Sequence, residues 1–196
     1  MQDENKKLLW KPGNMLFPVP VVMVSCGDEK GNKNIITVAW AGTVCSEPPM
    51  VSISVRPERH SYNMIKESGE FVINLTSKDL TFATDWCGVK SGKIADKFKS
   101  MNLTAKPAQT LEYAPIIEES PVNIECKVKK VEELGSHHMF IGEITKVQVS
   151  EKYMTESGKF ELNSTGLVAY SHGEYFLLGE KIGKFGYSVK KKNKNK

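Results

Sequence analysis

Between Pro49 and Pro57 the chain alternates strictly. Val51, Ile53 and Val55 take every second position, with Met50, Ser52, Ser54 and Arg56 between them. A period of two is the signature of a half-buried strand. Pro57 ends it, and Glu47-Pro48-Pro49 predicts an extended, non-helical connection ahead of it, because proline fixes its own φ and restricts the residue before it. Two more strand-like runs flank this one, Asn34 to Trp40 and Glu70 to Leu75. Between them Ser61 is placed to cap a short helix through Tyr62, Ile65 and Lys66. Gly69 is placed to end that helix in a left-handed conformation.

The same grammar runs through the rest of the chain. Pro18 to Ser25 is dense enough in apolar residues for a strand buried on both faces, and Gly27 to Asn32 carries the chemistry of a tight hairpin turn. Ser77 predicts the start of a helix over Lys78 to Cys87. Ser91-Gly92 breaks the chain before a second helix, Ile94 to Met101. Pro107 to Ser120 reads as loop. Val122 to Leu134 alternates again, Met139 to Val149 is its predicted hairpin partner, and Tyr175 to Leu178 is a last short strand. Strands and helices do not alternate regularly, which argues against a doubly wound parallel sheet. A G-x-G-x-x-G fingerprint, a Walker A loop and a fixed-period repeat are absent. The expectation is a mainly β protein, an antiparallel barrel with a few short helices.

A length of 196 residues suits one domain with a sizeable core. We expect that domain over 1–189 and a disordered lysine-rich tail over 190–196. The tail carries five lysines against a net charge of +4, so the body is close to neutral. No aromatic residue interleaves with those lysines, and a solubilising terminus is expected rather than nucleic-acid binding. The N-terminus lacks a secretory apolar region, and no apolar run reaches the ~18 residues of a membrane span. A cytoplasmic, non-membrane protein is expected. Cys26, Cys45, Cys87 and Cys126 are widely spaced without a C-x-x-C, so neither a zinc ribbon nor a redox dithiol is indicated. Cys26 and Cys126 read as small buried hydrophobes.

Several groups of residues, in order and spacing, carry a resemblance. They are Asn34 with Thr37-Val38-Ala39-Trp40, Ser46 with Pro48-Pro49, Arg59-His60-Ser61, and Glu70 to Asn74. Ser91-Gly92-Lys93 with Asp96-Lys97-Phe98 follows, then His137 with Gly142-Glu143, and Gly173-Glu174-Tyr175 with Leu178-Gly179-Glu180. From about Pro18 to Gly186 the chain resembles the flavin reductase-like proteins with an FMN-binding split barrel, within them the flavoredoxin-like branch. The resemblance implies a split β-barrel, bound FMN, and oxidoreductase activity. That activity would be flavoredoxin-like electron transfer, with a redox partner protein, or flavin reduction by NADH or NADPH. It also implies a homodimer that builds each FMN site from both chains. The alternative is a non-catalytic flavin- or ligand-binding barrel.

The residues themselves admit local readings. Asn34 and Thr37 offer short polar groups beside Trp40, which is either a wall for the cofactor or a core tryptophan. By the resemblance, backbone groups of Val38, Ala39 and Asn74 address the ring edge. Cys45 and Ser46 lie in the matching stretch and are expected near the cofactor. Arg59 and Ser61 precede or open a helix, whose N–H groups and dipole suit a phosphate; the alternative for Ser61 is an ordinary cap. Lys93 and Lys97, four apart, are expected on one helix face, and the resemblance puts the cofactor contact on Lys97. Near the pyrimidine edge that lysine would raise the flavin potential; near the phosphate it would add affinity. Where the family often has arginine this chain has Lys93, which loses bidentate phosphate binding. The family histidine is His137, leaving His138 for solvent or a subunit contact. Tyr170 is the aromatic expected to cover the flavin. No general acid or base and no metal site is indicated.

Overall fold

The computed structural model describes residues 6–189. The expected tail over 190–196 lies outside the described residues. The elements in order are β1 (Val19–Pro20), β2 (Val22–Gly27), β3 (Lys33–Val38), β4 (Ala41–Ser46) and β5 (Pro49–Val55). Next come α1 (His60–Ser68), β6 (Glu70–Leu75), α2 (Thr81–Val89), α3 (Lys97–Ser100), β7 (Ala105–Lys106) and β8 (Ile116–Ile117). The long hairpin β9 (Val122–Glu133) and β10 (His138–Val149) follows, and β11 (Val168–Ser171) with β12 (Glu174–Leu177) completes the set.

Seven strands form one antiparallel sheet in the order β3-β2-β6-β9-β10-β5-β4. Its two edge strands, β3 and β4, are separated in the chain only by Ala39 and Trp40. A flat seven-stranded sheet would hold its edges about 29 Å apart at ~4.8 Å per strand. Two linking residues reach no more than about 11 Å. The sheet must therefore roll until its edges approach, and because β3 pairs only with β2 and β4 only with β5, it stays unsealed between them. This is a split barrel, as the resemblance implies. Trp40 at the seam accepts a hydrogen bond from the Ser54 backbone N–H at 2.9 Å, which fixes the link against β5.

Period-two alternation explains the two cores. On β2 and β3, Val22, Val24, Cys26, Ile36 and Val38 point into the barrel with Val51, Ile53 and Val55 of β5. Met23 and Ile35 point the other way, to a layer made by Leu80, Ala83, Cys87 and Phe98. Hence β2 is buried throughout, which is why its sequence shows an unbroken apolar run. Inside the barrel Gly142 is required by close approach: a Cβ there would lie 2.7 Å from the Phe71 ring.

The hairpin turn at Gly27 to Asn32 forms as expected. Asp28 Oδ1 accepts from the Lys30 and Asn32 N–H groups at 3.0 and 2.9 Å. Gly69 ends α1 in the left-handed region at φ 69°. Other expectations are corrected. Glu47-Pro48 is not an extended connection but the two-residue turn of a hairpin, pairing Ser46 with Pro49. The strand β4 was not anticipated: its exposed face and its Gly42 blur any alternation. The first strand divides, Val19–Pro20 pairing with β11 and Val22–Gly27 with β3 and β6. The helix expected from Ile94 to Met101 is only Lys97–Ser100, capped by Asp96, so Lys93 and Lys97 do not share a helix face. Ser77 heads a 3-10 turn before α2, without a side-chain cap bond.

Candidate functional site

The seam at Ala39-Trp40 opens into a chamber of about 470 Å³. Thr37 and Val38 from the end of β3, Ala39, Trp40, Ser54 to Arg56 from the end of β5, and Gly88 of α2 make its floor and sides. Thr37 is anchored by donating its hydroxyl to the Thr84 carbonyl of α2. Phe17, Tyr170 and Tyr175 close the chamber against Trp40. Ring centroids lie 6.1 Å apart for Phe17 and Trp40, 6.3 Å for Phe17 and Tyr170, and 5.6 Å for Tyr170 and Tyr175. Tyr175 donates to Asp85 Oδ1 at 2.8 Å, tethering β12 to α2. Burial and that carboxylate push its phenol well above the usual range.

His137 also lines this chamber, with Nδ1 3.0 Å from the Ser136 hydroxyl. Burial lowers its pKa, and the charges of Arg56 and Arg59 lower it further, so the neutral ring is favoured. His138 is not free for solvent: its Nδ1 is 2.7 Å from the Tyr62 hydroxyl.

A second chamber of about 350 Å³ adjoins the first, sharing Ile36, Arg59 and Gly88 with it. Asn34, Ser61, Gly92 and Lys97 line it. Lys97 is 4% exposed. Its ammonium donates to the Ile35 and Cys87 carbonyls, each at 2.6 Å. Both acceptors explain themselves: Ile35 is on an edge strand, and Cys87 lies in the last turn of α2, where the helix dipole favours a cation. An ammonium has three donors, and Lys97 forms no ion pair among the described residues. Burial lowers its pKa. The chamber thus holds a desolvated cation with no ion pair of its own; its one lining carboxylate, Glu58, is paired with Arg56 at 3.1 Å.

Ser61 is not the cap of α1. The helix begins at His60, with Arg59 at the cap position and no side-chain cap bond. The Ser61 hydroxyl is 1% exposed and accepts from Asn34 Nδ2 at 2.8 Å. Gly92 packs on that amide so closely that a Cβ would sit 2.2 Å from Asn34 Oδ1.

Of the residues picked out from sequence, Thr37, Val38, Ala39, Trp40, His137 and Tyr170 meet in the larger chamber. Asn34, Ser61 and Lys97 meet in the smaller, and Arg59 joins the two. Three do not join them. Cys45 and Ser46 sit at the far end of β4, where the Cys45 thiol reaches only the Glu47 carbonyl at 3.4 Å. Strand pairing carries them away because β4 runs antiparallel to β5, outward from the seam. Asn74 is fully buried between β2 and β9, its amide spent on Met23, Ser25, Val72, Ile117 and Asn123. Phe17 and Gly88 were missed, since neither stands in a periodic pattern and only folding brings them to the seam.

Comparison with known proteins agrees with this geometry. The family profile described as flavin reductase like domain matches residues 14–177. Flavoredoxin of Desulfovibrio vulgaris (Miyazaki F) is 33% identical with a TM-score of 0.87, covering 94% of this chain and 100% of that one. The flavoredoxin of Methanosarcina acetivorans is 27% identical with a TM-score of 0.84, again over 94% and 100%. A flavin reductase of Pseudomonas putida is 26% identical over 136 residues, 69% of this chain and 76% of that protein. The chain belongs to the flavin reductase-like family, in its flavoredoxin-like branch.

Proposed function

We propose that this protein is an FMN-dependent oxidoreductase whose flavin ring occupies the aromatic chamber and whose phosphate occupies the smaller one. The observation that carries this is the buried Lys97, without an ion pair, beside Ser61 and Asn34 in a chamber that shares Ile36, Arg59 and Gly88 with the aromatic slot. The larger volume, about 470 Å³, falls within the ~300–1,000 Å³ of ligand sites.

Bound FMN would supply the hydride and electron transfer. The chain's part is to bind and orient. Lys97, Arg59 and the first turn of α1 neutralise the phosphate. Lys97 lines the small chamber and not the aromatic one, which favours an affinity role over tuning of the ring. Trp40, Phe17 and Tyr170 exclude water, and Val38 and Ala39 line the chamber at the unsealed edge. A neutral His137 can donate or accept one hydrogen bond at the chamber wall.

Electron carriage between proteins and reduction by NADH or NADPH both remain within this proposal. We further propose a homodimer. Ile116, Ile117 and Phe140 are core. Phe176, Leu177 and Leu178, on and beside β12, are about half exposed, Met15 and Leu16 next to the seam are more exposed still, and a second copy would cover them. Among the described residues no helix is long and apolar enough to cross a membrane. All four cysteines are free, which supports a cytoplasmic setting.

The test is a titration of apo protein with FMN followed by gel filtration and a visible spectrum. Stoichiometric retention is expected, and loss of flavin at micromolar protein would overturn the reading. Bleaching by NADH or NADPH then separates a reductase from a carrier that needs a protein donor. Sedimentation across a dilution series, with and without FMN, reads the dimer.

A further inference from the structure

The hairpin of β11 and β12 closes one side of the aromatic chamber, to which it brings Tyr170, Gly173 and Tyr175. It is fastened firmly at its foot only. There the Lys78 N–H donates to the Gly166 carbonyl at 2.8 Å, and the Val168 N–H to the Thr76 carbonyl at 3.1 Å. Further along, β11 pairs with β1 through Val19 and Pro20 alone, and proline has no N–H to donate. The strand β12 lies at the edge of its small sheet and pairs only with β11. Its Phe176 and Leu177 are about half exposed, so little apolar burial holds it down. Among the described residues, a single hydrogen bond joins β12 to anything other than β11. It is the 2.8 Å bond from the Tyr175 hydroxyl to Asp85 Oδ1.

Asp85 is exposed on α2, is not part of the chamber wall, and forms no ion pair among the described residues. Gly88, one turn further along α2 on the same helix face, does line the chamber. The bond therefore runs from the α2 wall to the hairpin. Tyr170 of that hairpin packs on Phe17, and Phe17 on Trp40, so a swing of the hairpin about its foot would uncover the slot. We propose that the Tyr175–Asp85 bond is a latch on this hairpin, and that Asp85 is a positioning residue which sets how fast flavin enters and leaves. The inference rests on the flavin reading above and deepens it. An electron carrier has to retain its flavin between partners, whereas a reductase that hands on reduced flavin has to release it.

A latch closed in both the free and the loaded protein cancels from the equilibrium and appears only in the rates. The experiment is stopped-flow quenching of FMN fluorescence by apo protein. The slope and intercept of the observed rate against FMN concentration give association and dissociation, and a separate titration gives Kd. Tyr175→Phe keeps the ring and removes the donor; Asp85→Ala removes the acceptor. Loss of one exposed charge-assisted hydrogen bond should raise both rate constants about fivefold in each variant, with Kd held within about twofold. The double variant should be no faster than either single one. Asp85→Asn, which keeps an acceptor oxygen, should stay close to the native rates. Unchanged rates in both single variants overturn the latch, and so do effects that multiply in the double variant. Faster dissociation alone, with a weaker Kd, also overturns it and makes Tyr175 a direct flavin contact. In these three cases the FMN site stands. Failure of the native chain to bind FMN overturns the flavin reading and the latch together.

Discussion

Two buried polar clusters sit on either side of β2 and β3, and they are built on opposite plans. One centres on Asn74. Its amide donates to the Met23 and Val72 carbonyls and the Ser25 hydroxyl, and its oxygen accepts from the Ile117 N–H and the Asn123 amide. Nearby, Glu70 accepts from the backbone of Glu112 to Ala114, and Glu125 from Gln109, Thr110 and Gln148. Every atom has a partner inside the protein. The other is Asn34, Ser61 and Lys97, with the exposed Arg59 at its mouth, where a buried ammonium has no ion pair of its own and its neighbours line an open chamber. A network closed within the protein holds a fold together; a buried cation on the wall of an open chamber leaves room for an anion from outside.

The comparison breaks if removing the saturated cluster disturbs binding more than stability. Asn74→Ala should be the most damaging change, costing about 3 kcal/mol because it strands several buried partners. Urea denaturation reads the loss. FMN affinity below the transition should stay near that of the native chain, and a large affinity loss with small destabilisation would reassign Asn74 to the site.

Lys97→Met should do the reverse. FMN binding should weaken by about 2 kcal/mol, roughly 30-fold, from loss of a charge-assisted contact. Stability should fall less, since two carbonyls lose a donor while a buried charge is relieved. Isothermal titration at two salt concentrations checks this. Equal losses in both quantities would make Lys97 mainly a tie between β3 and α2.

Glu125 sharpens the saturated side through pH. Burial pushes its carboxyl up, but bonds from Gln109, Thr110 and Gln148 outweigh that and hold it below the ordinary range. A carboxylate lowered in the folded state stabilises above its unfolded pKa, about 4.3. That contribution fades as pH falls through the lower folded value. Glu125→Gln should cost about 1–2 kcal/mol at pH 7 and flatten the acid limb of the stability curve. An unchanged limb would move the acid sensitivity elsewhere.

The smallest effect is expected for Ser61→Ala, about 1 kcal/mol or fivefold in FMN affinity. Because Ser61 is not the cap of α1, thermal stability should move little. An affinity within error of the native chain would restrict the phosphate role to Lys97, Arg59 and backbone.

The sequence by itself determined the strands that alternate, the turns and the stops. Val51, Ile53 and Val55 can satisfy a period of two only on a sheet with one apolar side, and Gly69 or the Asp28 hairpin act within a few residues of themselves. Local rules reach that far. They also marked Lys97 and Trp40, because the resemblance rests on local motifs. Tertiary structure decided the rest. It set how Asn74 and Ser61 are used, since hydrogen-bond saturation is a property of neighbours from four or five distant segments. It carried Cys45 and Ser46 away along β4 by strand register. It brought Phe17, Gly88 and Tyr175 to one chamber, because a two-residue link between edge strands forces the sheet to roll, and rolling is a long-range constraint that no window of sequence contains.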